Sequence, residues 1–344
     1  MASLLDSVRQ LMTSDMVGTI GKSLGVDTSM VQRGLDVAGP LLQSGLANRS
    51  QTSAGLDGII GMLPKDGGAS LLGSLGNLAG MLGKGGLLGS VASSGLLSGI
   101  FGSGTSAIGK TLSDRFGFSA TPLLGLAASA LLGQLAKTAQ DQKLTSGGIA
   151  RMLQNEASNT QGKLKPEVQT VLNEALDAGK QAETLKQAFT DAEWTKVRLA
   201  PLAAVSYVMK SSPSGLVGRV KELTAAGDAM TTALKDVGPT SLLNVAFGNI
   251  GPSLESDPQV EEKSRGDVLN LLKDAAAAVR AKAPKEASSF GKTLVVVATK
   301  VAEATKEGGF LGMGGALVSP EEQVALDEIK SAVASRQAAA SEKG

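Results

Sequence analysis

Apolar residues recur at helical spacing along most of the chain. In the second half, Thr190-Asp191-Ala192-Glu193 is a capping-box pattern, and Trp194, Val197, Leu202, Val205 and Val208 mark the inward face of the helix it opens. Pro201 is expected to kink or divide that helix. Ser214-Gly215-Leu216-Val217-Gly218 starts another helix, and Ser256-Asp257-Pro258 reads as a turn. Val268, Leu269, Leu271, Leu272, Ala276 and Val279 form one helical face. Leu294 to Val297 resembles a strand run, but Ala298, Val301, Ala302 and Ala304 continue it at helical spacing. Ser319-Pro320-Glu321-Glu322 starts a last helix with Leu326, Ile329 and Val333 as its stripe. In the first half, the charge-free run from Phe116 to Ala136 predicts a buried helix over about Pro122 to Lys137.

The first half carries an imperfect repeat. Ile20-Gly21-Lys22-Ser23-Leu24 recurs as Ile108-Gly109-Lys110-Thr111-Leu112, and each copy leads into a long apolar helix. Asp27 or Ser29 is placed to cap the first of these helices, and Ser119 or Thr121 the second. Between the copies, Gly55 to Gly109 holds 17 glycines, with Leu-Gly pairs at 72–73, 75–76, 82–83 and 88–89. That stretch reads as a flexible insertion over the core, or as a segment that orders on self-association.

Composition sets the boundaries. Residues 1–150 hold 28 of the 44 glycines, 10 basic residues and 8 acidic ones, all Asp. The remainder is rich in Glu, Lys and Ala, which favour ordinary surface-charged helices. The expectation is an all-α chain of two helical domains: a Gly/Leu-rich one over 1–157, a helical linker over 158–184, and a second domain over 185–344 with a disordered C-terminal tail.

IGKSLGVDTSMVQRGLDVAGPLLQSGLANRS, LLGSLGNLAG, GLLSGIFG, FGFSATPLLGLAASALLGQLAK and LTSGGIARMLQNEA carry a further signal. Over residues of about 18–157 the chain resembles the YidB-like family of uncharacterised bacterial proteins. The resemblance implies an all-helical fold with a homeodomain-like helix arrangement. It implies no reaction and no catalytic residues.

The side-chain inventory narrows the chemistry. There is no Cys and no His, so thiolate nucleophiles, disulfides, His-based triads and Cys or His metal ligands are excluded. The net charge is +1 and aromatics are 3%, which favours neither phosphate binding nor base stacking. The charge-free helix at 122–136 cannot neutralise phosphates, so no nucleic-acid partner is expected. Asp6 and Arg9 interrupt any signal-peptide core, which makes a cytoplasmic location the default.

Two features remain. Gly104-Thr105-Ser106-Ala107-Ile108-Gly109-Lys110-Thr111 matches the GxxxxGK[ST] phosphate-loop pattern, whose Gly104, Gly109, Lys110 and Thr111 would hold a nucleotide. No aliphatic strand precedes it, and the repeat copy at Gly21-Lys22-Ser23 favours a structural role. Gly125, Ser129 and Gly133 form a smooth helix-packing stripe, suited to a neighbouring helix of the same domain, a subunit contact or pairing in lipid. The paired carboxylates Glu321/Glu322, Glu261/Glu262 and Asp191/Glu193 read as caps and solvated faces. The expected function is non-enzymatic, with no cofactor or metal: self-association or binding of another protein through the first domain. Membrane-surface association through 69–101 is the alternative, and nucleotide binding the third.

Overall fold

The computed structural model describes residues 3–81, 95–211, 216–248, 257–304 and 318–334. Among them every regular element is a helix. Contacts divide the chain into two units, Met1–Glu183 and Thr184–Gly344.

The first unit begins with α1 (Leu4–Leu11), α2 (Ser14–Leu24) and α3 (Thr28–Arg49). Next come α4 (Ser53–Met62), α5 (Ala69–Met81) and a helical segment α6 over 95–101. A 3₁₀ turn at Gly102–Gly104 leads into α7 (Thr105–Phe116) and α8 (Thr121–Asp141). α9 (Ser146–Gln161) follows, and α10 (Pro166–Gln187) runs on past the unit boundary.

Thirteen residues of α8 between Leu123 and Ala136 are buried. They have no charge to keep solvated, so the helix sits in the middle of the core, against α1, α3 and α5. Each of its buried leucines contributes roughly 1.5–3 kcal/mol relative to exposure. The helix runs past the expected end at Lys137, to Asp141, where the Lys137 ammonium pairs with the Asp141 carboxylate at 2.6 Å. Among the described residues no single helix is long and apolar enough to cross a membrane; α6–α7 and α8 pass that test only as a pair bent by 116°.

Both Ile-Gly-Lys stretches lie in helices that end on a left-handed glycine. Gly25 closes α2 at φ 68°, and Gly117 closes α7 at φ 75°. Ser113 to Phe116 adds about one turn to the second copy before its glycine. The expected caps turn out differently. Asp27 occupies the N-cap of α3 but makes no side-chain cap bond. Ala120 occupies that of α8, its N–H donating to Ser113 Oγ at 2.9 Å.

The stretch expected as a helical linker, 158–184, is helical over the end of α9 and most of α10. Val171, Leu172 and Ala175 of α10 belong to the first unit's apolar cluster. The stretch expected as a flexible insertion, 55–109, is helical over α4, α5, α6 and the start of α7, with Ile59, Leu75, Leu97 and Ile100 buried. Leu82-Gly83 and Leu88-Gly89 lie outside the described residues, as does the tail from 335 to 344.

The second unit contains α11 (Asp191–Met209), α12 (Leu216–Lys235), α13 (Leu242–Phe247) and the short α14 (Pro258–Glu261). α15 (Arg265–Lys282), α16 (Ala287–Glu303) and α17 (Pro320–Val333) complete it. α11 is one helix through Pro201, which neither kinks it into two elements nor ends it. The residues around the proline are buried, and their packing against α15 and α16 offsets the lost hydrogen bond. The apolar faces read at Val268–Val279 and Leu326–Val333 are buried, Leu269 only in part. Residues 294–303 are helical with Ala304 as the C-cap, and Asp257 caps α14 rather than standing in a simple turn.

Candidate functional site

A cleft of about 290 Å³ opens on the first unit between α1, α2, α3 and α8. Its walls are Leu5, Val8 and Met12 of α1, Val17 of α2, Leu35 and Pro40 of α3, and Leu131 of α8. Arg9, Gln32 and Asp36 stand at its mouth.

Local chemistry fixes the α1 wall. Ser3 and Asp6 form a capping box: Asp6 N–H donates to Ser3 Oγ at 3.1 Å, and Ser3 N–H to Asp6 Oδ2 at 3.3 Å. Hydrogen bonding from the Ser3 side chain first, then from its N–H, holds the Asp6 carboxyl below its ordinary 3.8. Glu156 Oε2, on α9, accepts from Leu4 N–H at 3.1 Å and from Gln43 Nε2 at 3.4 Å. A carboxylate thus sits at the positive end of α1 and ties it to α3 and α9. Where α1 crosses α3, Gly39 leaves room for Leu5: a Cβ there would lie 2.7 Å from Leu5 Cδ2.

The mouth is loosely held. Arg9 lies 3.8 Å from Asp6 and 3.7 Å from Asp36, and all three side chains are more than half exposed. Contacts of that length in water contribute little. The cleft can take an apolar side chain and offer hydrogen bonds of both signs around it. Among the described residues no group of three or more carboxylates is placed to hold a metal ion.

The phosphate-loop pattern takes a different form. Gly104 ends a 3₁₀ turn, and Thr105 to Thr111 lie inside α7, so their N–H groups do not wrap an anion in a loop. Thr111 Oγ1 donates to the Ala107 carbonyl at 2.8 Å, and Lys110 pairs with Asp114 at 2.6 Å. Gly104 meets α10, since a Cβ there would come 2.9 Å from Gly179 Cα. Gly109 meets the start of α8, with Thr121 Oγ1 at 2.7 Å from the same imagined atom. These glycines serve close helix approach.

Along the α8 stripe, Gly125, Ser129 and Gly133 are all buried. Ser129 Oγ donates to the Gly125 carbonyl at 2.9 Å. At the far end Leu71 and Leu72 of α5 pack on Gly133. The stripe therefore seats a helix of the same unit at that end.

In the second unit the polar side chains tie helices together. Tyr207 on α11 donates to Glu328 Oε2 of α17 at 2.6 Å. Arg265 of α15 donates to the same oxygen at 2.8 Å and lies 4.7 Å above the Tyr207 ring. Burial first, then the bond to Glu328, pushes the Tyr207 phenol above 10.0. Lys210 Nζ donates to the Glu261 carbonyl at 3.0 Å and also to that of Lys263, which closes α14. Glu193 and Glu322 complete the capping boxes of α11 and α17.

The fold defines an all-α chain with an apolar-walled cleft on its first unit. Residues 6–138 match the model of a family described as "Bacterial protein of unknown function (DUF937)", consistent with the YidB-like resemblance. The comparisons with curated proteins and with solved structures returned no match.

Sequence reasoning missed the cleft. The signal was present: Ser3 and Asp6 at capping spacing, then Leu4, Leu5, Val8 and Leu11 at helical spacing. Arg9 and Asp6 are the polar face of that helix.

Proposed function

We propose that this chain is a non-enzymatic interaction protein that acts by self-association or by binding another protein through its first unit. The observation that supports the reading is the cleft. Its walls are aliphatic, its floor is the central helix α8, and its mouth carries an exposed Arg and an exposed Asp. Recognition surfaces have this makeup, an apolar centre within a polar rim.

Sedimentation velocity of the full chain over a wide concentration range, with identification of proteins that co-purify with it, tests the reading. The expected result is a concentration-dependent assembly or a stoichiometric partner. That species should weaken when the half-buried Leu35 is changed to Asp, with helicity unchanged by circular dichroism. A strict monomer that captures nothing defeats the proposal.

A further inference from the structure

We infer that the cleft is one half of a two-fold contact between copies of this chain. In it, Arg9 of each copy pairs with Asp36 of the other, and the half-buried Met12 and Leu35 pack across the axis. This rests on the interaction reading above and names its partner.

Three observations point there. First, Arg9 and Asp36 have unspent hydrogen-bonding capacity. Their mutual contact is 3.7 Å, beyond hydrogen-bond length, and each side chain is more than half exposed. Asp6, the other carboxylate near Arg9, is already engaged by Ser3.

Second, the two charges stand on opposite walls, Arg9 on α1 and Asp36 on α3. A two-fold axis turns a patch onto itself, so every group meets the group placed opposite it. A patch with a single sign of charge repels its own copy. One with a cation on one wall and an anion on the other is self-complementary, and each long intramolecular pair is exchanged for a short intermolecular one.

Third, a groove on the second unit is less open to such an exchange. It has a volume of about 480 Å³ between α12 and α16, where Lys292 and Lys300 flank Val296 and only Asp228 stands among its lining as a carboxylate. One of its two cations is already held within the chain, Lys300 by Glu303 at 2.8 Å.

The experiment is a charge swap in the full chain, read by sedimentation at low salt. Arg9→Asp alone, and Asp36→Arg alone, should each weaken the dimer by about tenfold or more, equivalent to about 1.4 kcal/mol. The double variant Arg9→Asp with Asp36→Arg should return it to near the wild-type constant. Both positions are solvent-exposed, so circular dichroism should show full helicity throughout. Because the chain has no Cys, Gln32→Cys gives an independent readout. Oxidation should cross-link copies at the cleft mouth, and Arg9→Asp in that background should slow the link by about tenfold or more. A dimer indifferent to both single changes, and no cross-link, overturns the two-fold contact but leaves self-association standing. A wild-type monomer that still captures another protein overturns it too. A monomer that captures nothing overturns both.

Discussion

At the level of single residues, glycine decides how closely helices approach, and two positions separate space from backbone angle. Gly68 has φ 85°, and a Cβ there would sit 2.1 Å from the Gly133 carbonyl oxygen of α8. Gly117 has φ 75° with open space around it. Ala at Gly117 meets only the left-handed penalty, about 1–2 kcal/mol. Ala at Gly68 meets that penalty and also forces the α5 entry off α8, so a loss above about 3 kcal/mol is expected. Urea unfolding of the two variants checks this, and equal losses would contradict it. The small-residue stripe was legible in the sequence, because Gly125, Ser129 and Gly133 recur every four residues. What sits on it was not: Gly68, Leu71 and Leu72 reach it from more than sixty residues away along the chain, and no local periodicity encodes that pairing.

At the level of elements, caps and charge patterns carried most of what the sequence disclosed. The boxes at Thr190–Glu193 and Ser319–Glu322 form as their spacing implies, because both partners lie within one turn. The composition shift near residue 150 marks α10 as a connecting helix, while its contribution of Val171, Leu172 and Ala175 to the first unit's core depends on contacts distant along the chain. α11 survives Pro201 because tertiary burial overrides a local preference. The α11 cap also makes a pH prediction. Backbone hydrogen bonding from Thr190 holds the Glu193 carboxyl below its ordinary 4.5. A depressed folded value means that the folded state favours the ionised form. Its contribution is therefore fully present above 4.5 and fades as pH falls through the depressed value. The stability gap between wild type and Glu193→Gln should be largest near neutral pH and shrink on acidification. Guanidinium titrations at several pH values measure it, and a gap that widens in acid would contradict the assignment.

For the whole molecule, the two units place the functional question on the first, which holds both the cleft and the family match. The family match ends at residue 138, yet the contact boundary falls at Glu183. α9 and α10 fill that difference, and both serve the cleft's scaffold: Glu156 anchors α1, while α10 extends the core beneath α7. Removing α10 should therefore undo more than its own helix. Val171 and Leu172 together represent roughly 3–6 kcal/mol of burial, against a typical margin of about 5–15 kcal/mol for a folded domain. A fragment ending at residue 187 should unfold cooperatively on heating. One ending at residue 163, after α9, should lose cooperativity, bind a hydrophobic dye and fail to form the cross-link through Gln32→Cys. Equal melting of the two fragments would show that the cleft-bearing unit ends with α9, and that α10 is a connection after all.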